Sequence, residues 1–430
     1  MSQTPLSLEI VPGAVPSATI AVPGSKSVSN RALIIAAVAE GESRLHDLLE
    51  ADDTVVMIRA LQELGVGISR SGTVTAVAGH GGPLRAAAAD LDAGLSGTTV
   101  RFLLPLLAAG TGSFRVTGQG RMLRRPIADQ LDALQDLGVN ATSELDNGCP
   151  PVRIETTGLG GGEVSVSGNL SSQYLSGLLM AAPLARQRLD IHVTGDLQSK
   201  PFVDITLDVM RRFGVDVQRD GYDRFTVDPG RYTAADMRIE GDATAAGNFW
   251  VAAAITGSTV EVSNVGTDSS QGDRALADVL GRMGCQVRWT ANSCTVTGPP
   301  RGELRGGDFD LNDIPDQALA LAVAGLFTDG PLTIRNVANM RIKETDRLAA
   351  VATELRRLGA VVSEGADWLT VEPQPTYRAA EIRTYDDHRM AMAFALAGLN
   401  LPGVTILDPD CVAKTYPGYW QDFAKLQVGQ

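Results

Sequence analysis

Cysteine is scarce in this chain: Cys149, Cys285, Cys294 and Cys411 are the only four in 430 residues. None forms a Cys-x-x-Cys pair, and the four histidines are widely spread, so neither a disulfide framework nor a zinc site is read from them. Aromatics make up only 5% of the residues, which leaves the cores to Ala, Val, Leu and Ile. No apolar run on the order of 18 residues occurs, which argues against a membrane-spanning helix. Met1 to Ile10 has neither a basic n-region nor a long apolar stretch, so no signal or transit peptide is read there and a cytoplasmic protein is expected. Bases are outnumbered, 37 Lys and Arg against 50 Asp and Glu, for a net charge of −13. That argues against a general binder of nucleic acid or of anionic membrane. An anionic small substrate would need a local basic cleft inside an acidic protein. A Walker loop, a dinucleotide fingerprint and a Ser-His-Asp arrangement are all missing.

What the chain has is repetition. An apolar helix, a Gly or polar turn and a β-rich strand recur six times. The helices begin near Asn30, Thr98, Ser171, Ala243, Asp316 and His388. The turn glycines Gly257, Gly330 and Gly403 fall at spacings of 73 and 73. A second, amphipathic helix ends at Leu64-Gly65, Leu137-Gly138, Phe213-Gly214, Met283-Gly284 and Leu358-Gly359, where the glycine is a C-cap signal. This period is too long for a solenoid. The sixth copy has only 47 residues left after Arg383, and the N-terminal 23 bring it to one full repeat. The expected organisation is therefore a discontinuous domain, 1–23 and 241–430, with the N-terminal strand completing its last unit. A second domain, 24–240, is inserted in it, and each domain holds three units.

Polar and basic residues gather where the apolar helices start. Pro23-Gly24-Ser25-Lys26-Ser27-Val28-Ser29-Asn30-Arg31 places hydroxyls, Lys and Arg at a helix N-terminus, which suits a phosphate or carboxylate. Ser96-Gly97-Thr98 with Arg101, and Ser171-Ser172-Gln173, open the next two. Arg121 to Pro126 reads as an anion clamp, with Pro126 in the first turn of a helix over 127–137. Asn339-Met340-Arg341-Ile342-Lys343-Glu344-Thr345-Asp346-Arg347 is the densest alternation of charge, with Glu344 between Lys343 and Arg347. Asp387-His388-Arg389 and Lys414-Thr415 add further basic clusters. Six ordinary helix caps would not require Lys26, Arg31, Arg101 and Arg389.

Together these stretches resemble the 5-enolpyruvylshikimate-3-phosphate synthase family, over nearly the whole chain. The resemblance implies an α/β fold, a two-domain inside-out α/β barrel of six βαβαββ-type units, with the active site in a cleft that closes on its ligands. It implies transfer of the enolpyruvyl group of phosphoenolpyruvate to the 5-hydroxyl of shikimate 3-phosphate, with no cofactor and no metal. It implies a monomer whose partners are these two small anions, not nucleic acid or membrane. On the matching positions, Lys26, Ser27, Arg31, Ser171, Ser172, Gln173, Ser199, Asp316, Asn339 and Lys343 would hold shikimate 3-phosphate. Lys26, Gly97, Arg125, Gln173, Arg347, Arg389 and Lys414 would hold phosphoenolpyruvate, in a pocket that the herbicide glyphosate also enters. Asp316 would take the proton of the attacking hydroxyl, Glu344 would protonate the methylene carbon, and Lys26 would assist. Two positions depart from the pattern. Phe202 stands after Ser199-Lys200-Pro201 where the family often has Tyr, and Leu95-Ser96-Gly97-Thr98 replaces a common Asn-Ala-Gly-Thr. The nearest rival is the UDP-N-acetylglucosamine enolpyruvyl transferase family, whose donor loop carries a Cys that the loop 121–126 lacks. A non-catalytic binder of phosphorylated metabolites is the rival of another class, and it would gain nothing from Asp316 and Glu344.

Overall fold

Long Ala-, Val-, Leu- and Ile-rich runs with no polar face bury a helix on all sides. In the structure, a computed structural model that describes residues 7–427, these runs are central helices. Every residue of Gly97–Ala108 and of Ala243–Thr256 is buried, and so is everything after Ser27 in Lys26–Val38. The amphipathic helices, Asp52–Glu63, Ala128–Asp136, Pro201–Arg212 and Arg347–Leu358, keep one polar face. The five glycines that follow the amphipathic helices, Gly65, Gly138, Gly214, Gly284 and Gly359, all have φ between 83° and 105°. That left-handed geometry is the reason glycine recurs there.

The chain divides into two compact units, one of Met1–Pro23 with Gly241–Gln430 and one of Gly24–Glu240. Each has its own apolar core. In the inserted unit, Gly97–Ala108 packs on Lys26–Val38 and on Ser172–Ala181. In the discontinuous unit, Ala243–Thr256, Ala318–Ala324 and His388–Gly398 pack pairwise on one another. Apolar helices inside and small sheets around them make the α/β fold inside-out.

The described residues form six sheets, five of four strands and one of three. The sheet of 88–156 shows the plan. Ala88–Asp92 runs parallel to Gly112–Thr117 across the helix Gly97–Ala108, and Val152–Thr156 and Asn140–Ser143 add antiparallel strands. That is a βαβαββ unit, and the crossover helix is what lets the first two strands run parallel. Three of the repeats borrow strands from far along the chain. Asp236–Arg238 pairs in parallel with Glu40–His46, so the last strand of the inserted unit completes its first sheet. The N-terminal segment is divided, whereas the sequence reading gave all of it to the sixth unit. Ser7–Ile10 pairs with Val404–Leu407 in the sixth, but Ala18–Ile20 pairs in parallel with Thr259–Val262 in the fourth. No helix of the described residues is long and apolar enough to cross a membrane.

Candidate functional site

The residues singled out in the sequence fall into two sets, one in each unit. In the inserted unit, Ser25 caps Lys26–Val38, its Oγ accepting from the Val28 N–H. Lys26 then sits in the first turn with Nζ 3.3 Å from Asp53 Oδ2, and Asp53 is itself buried. Ser27 is half-buried beside it. Arg31, one turn on, is only 1% exposed. Its Nε donates to Thr206 Oγ1 at 2.7 Å, Nη1 to the Ser27 carbonyl at 3.0 Å, and Nη2 to Ser176 Oγ at 3.2 Å and the Phe202 carbonyl at 2.9 Å. The guanidinium also lies over the Phe102 ring. These partners carry no charge, and burial pulls the guanidinium down to about 9. Four of its five donors are engaged, which leaves one on Nη1. Arg31 thus ties its helix to two others and presents an uncompensated buried charge.

Ser171 caps the helix Ser172–Ala181, accepting from the Gln173 N–H, and Ser172 is buried at its first residue. The Gln173 amide is fixed at both ends. Its Oε1 accepts from Arg101 Nη1 at 2.8 Å and its Nε2 donates to Thr98 Oγ1 at 3.2 Å. Ser199 is buried with φ 58°, a left-handed conformation unusual for serine, just before the helix Pro201–Arg212. Gly97 opens its helix against Arg125: a Cβ added there would lie 2.6 Å from Arg125 Cζ. Arg125 is buried and its Nε has no hydrogen-bond partner. Pro126 is not in the first helical turn. Ile127 is the N-cap of Ala128–Asp136, and the Pro126 carbonyl instead accepts from the Tyr174 hydroxyl. Both departures from the family pattern have local explanations. Ser96 caps Gly97–Ala108, accepting from the Thr99 N–H and hydroxyl, while Leu95 is exposed. Phe202 packs its ring against the apolar core and uses its carbonyl on Arg31.

In the discontinuous unit the charges converge on Arg347, 1% exposed, the first residue of Arg347–Leu358. Its Nε and Nη2 donate to the two oxygens of Asp387 at 2.7 and 3.1 Å, Nη1 to Asp316 Oδ1 at 2.9 Å and Nη2 to Glu344 Oε2 at 2.9 Å. Burial pulls this guanidinium down, but Asp387, Glu344 and Asp316 outweigh it and hold it above the ordinary arginine range. Asp316 also takes Arg389 Nη2 at 3.1 Å and Lys343 Nζ at 3.7 Å. Glu344 Oε1 faces Lys414 Nζ at 3.7 Å. Asp387 caps the helix His388–Gly398 through the Arg389 N–H and has no exposed surface. Four cations and three carboxylates thus form one network, supplied by the segments around 316, 343–347, 387–389 and 414. Asn339 is buried in the 3-10 turn Ala338–Ile342 just ahead of it.

Sequence reasoning gave no role to Asp53, Asp273 or Asp387. Asp53 looks like an acidic first-turn residue favouring a helix dipole, and nothing near Asp273 in sequence marks it. Asp273 is 2% exposed and its Oδ1 has no hydrogen-bond partner. Burial, with the Asp316 and Asp242 charges adding, pushes its carboxyl up to about 7, against Arg389 and a hydrogen bond from Thr244, which pull it down. A carboxyl raised in the folded state binds more protons there than in the unfolded chain, so its contribution to stability falls as pH rises from the unfolded value to about 7. Asp273→Asn removes that loss. Urea unfolding at pH 5 and pH 8 should show the variant gaining on the wild type by on the order of 2–3 kcal/mol between the two. Among the described residues no group of three or more His, Cys, Asp and Glu could hold a metal ion.

Comparison with known proteins follows the same lines. The family model described as EPSP synthase (3-phosphoshikimate 1-carboxyvinyltransferase) matches residues 12–423. The chain is 48% identical over 426 residues to the 3-phosphoshikimate 1-carboxyvinyltransferase of Serratia proteamaculans (strain 568), with 98% of each chain covered. It is 48% identical over 405 residues to that of Sulfurovum sp. (strain NBC37-1), with 93% of this chain and 94% of the relative covered. Among solved structures, the EPSP synthase of Acinetobacter baumannii superposes with a TM-score of 0.82 at 26% identity, covering 98% of both chains. The enolpyruvyl transferase NikO of Streptomyces tendae, 21% identical with a TM-score of 0.79 over 98% of this chain and 97% of its own, shares the fold.

Proposed function

The chain belongs to the EPSP synthase family, and from that premise we propose that it transfers the enolpyruvyl group of phosphoenolpyruvate to the 5-hydroxyl of shikimate 3-phosphate. The observation that carries the proposal is the Arg347 network, where Asp316 and Glu344 share one buried guanidinium and each also faces a further cation. A simple anion receptor would gain nothing from two carboxylates that compete with its ligand for those cations.

The network suggests how two carboxylates surrounded by cations become an acid and a base. The phosphate and carboxylate of phosphoenolpyruvate compete for Arg347, Arg389 and Lys414. As those cations turn to the ligand, Asp316 and Glu344 lose their partners and their affinity for protons rises. Asp316 takes the proton of the 5-hydroxyl while its oxygen bonds to C2 of the enol. Glu344 delivers a proton to C3, which turns the methylene into a methyl and completes a tetrahedral intermediate. Loss of a methyl proton back to Glu344 then expels phosphate and restores the double bond. The proton that Asp316 took passes to the departing phosphate, which returns both carboxyl groups to their starting states, so the proton count closes without an oxidant or a cofactor. Lys26, Gly97, Arg125 and Gln173 are assigned to the donor alongside those cations, and Lys26 also assists proton transfer and faces the acceptor. Ser27, Arg31, Ser171, Ser172, Gln173 and Ser199, with Asn339, Lys343 and Asp316, are assigned to shikimate 3-phosphate. Fixed cations are what allow two polyanions to approach. The reading includes a monomer in the cytoplasm.

Phosphate release from phosphoenolpyruvate tests this directly. Release is expected with shikimate 3-phosphate and none with UDP-N-acetylglucosamine, and the opposite preference defeats the proposal. Gly97→Ala tests the donor pocket. Gly97 opens a helix and no left-handed φ holds it, so alanine does not strain the backbone. Its Cβ displaces the Arg125 guanidinium. The KM for phosphoenolpyruvate should rise about tenfold, and inhibition by the longer glyphosate should weaken more, with the melting temperature unchanged. A lowered melting temperature with equal loss for both ligands would mean Gly97 matters only to the fold.

A further inference from the structure

The turn that delivers Asp387 and Arg389 has an unusual residue in it. Asp387 N–H donates to the Thr384 carbonyl at 2.9 Å, and the two residues between, Tyr385 and Asp386, have φ of 57° and 55°. Two successive left-handed residues inside a four-residue turn make the arrangement that Asn, Asp and Gly fill readily. A tyrosine there is costly, because its Cβ crowds the backbone. Strain of this kind persists only where the surroundings over-determine it.

The surroundings here are one helix, Arg347–Leu358. Its first residue grips Asp387 through two hydrogen bonds, at 2.7 and 3.1 Å. Seven residues on, and so on the same face, Glu354 holds the other end of the turn. Glu354 is fully buried. Its Oε1 accepts from the Tyr385 hydroxyl at 2.7 Å, and its Oε2 from the Arg383 N–H at 3.3 Å and Arg357 Nε at 3.0 Å. The turn is thus clasped at both sides by a single rigid element. Burial, then the bond to Glu354, pushes the Tyr385 hydroxyl up to about 12, against Arg357 and Arg383, so it remains a donor at neutral pH.

We propose that Tyr385 is a positioning residue, whose hydrogen bond to Glu354 locks the left-handed turn that aims Asp387 at Arg347 and Arg389 at Asp316. The inference rests on the reading of Arg347 and Arg389 as donor-binding cations. Tyr385 touches no reacting atom; it acts through the turn.

Stability and activity should move in opposite directions. Tyr385→Asn places a residue suited to positive φ and deletes the anchor. Its melting temperature should equal or exceed that of the wild type, while the KM for phosphoenolpyruvate rises about ten- to a hundredfold and the KM for shikimate 3-phosphate changes less than threefold. Tyr385→Phe keeps the strain and the ring but loses the bond, and should raise the same KM with a lowered melting temperature. If both variants keep the wild-type KM for phosphoenolpyruvate, or if Tyr385→Asn loses activity only in step with stability, the inference is overturned. The wild type assayed in parallel separates this from the functional reading. No phosphate release by the wild type defeats that reading, whereas release unaffected by the substitutions defeats this one.

Discussion

Glu344→Gln and Asp316→Asn are each expected to lower kcat by about three orders of magnitude while changing either KM by less than about tenfold. Each substitution keeps the shape and a hydrogen-bond acceptor for Arg347, and removes the carboxylate charge together with the ability to carry a proton. Glu344→Gln stops delivery to C3, so no tetrahedral intermediate accumulates in a rapid quench. Asp316→Asn leaves C3 protonation possible but removes the base for the hydroxyl. The two defects should not add, because both groups serve the same step. Near-normal turnover of Glu344→Gln would move the proton donor elsewhere in the network.

The second large effect contrasts two arginines of equal burial. Arg31 and Arg347 are each 1% exposed. Arg347 neutralises Asp387, Asp316 and Glu344, whereas the partners of Arg31 are hydroxyls and carbonyls. Arg347→Met leaves the fully buried Asp387 without its counter-charge, and removing one partner of a buried pair costs about 3–5 kcal/mol. Arg31→Met loses four hydrogen bonds but also removes an uncompensated buried charge, and should stay within about 1–2 kcal/mol of the wild type. Its effect should fall instead on shikimate 3-phosphate, whose KM should rise about a hundredfold with the loss of a charge-assisted contact. Chemical denaturation of both variants with acceptor titrations checks the pair. Equal destabilisation by the two would contradict the charge accounting.

The difference between these arginines shows what the sequence could and could not convey. That Arg31 and Arg347 matter was legible, because each sits with other polar groups beside an apolar helix. Their opposite surroundings were not, because Thr206, Ser176 and Asp387 arrive from distant segments. The repeat was legible for a local reason. A glycine after each amphipathic helix is needed for a left-handed cap, and that need recurs at a fixed period. Strand pairing across the whole chain leaves no such trace. Asp236–Arg238 and Ala18–Ile20 are three residues each, too short to show alternation, and their partners lie some two hundred residues away. Pro126 misled because Pro beside Arg is compatible with a helix start, and only the Ile127 conformation decides otherwise. Asp273 carries no motif, and Tyr385 only opens the basic stretch that runs on through Arg389. What marks them is a missing hydrogen-bond partner and a positive φ, which exist only once the chain has folded.

The central claim is that a proton is added to C3 of phosphoenolpyruvate and that a methyl proton is removed again as phosphate leaves. Running the reaction in deuterium oxide with shikimate 3-phosphate and reading the methylene group of the product by mass spectrometry tests it most directly. The wild type should place deuterium on C3 as phosphate is released, and Glu344→Gln should show neither. Phosphate released with no deuterium in the carboxyvinyl group would contradict the mechanism.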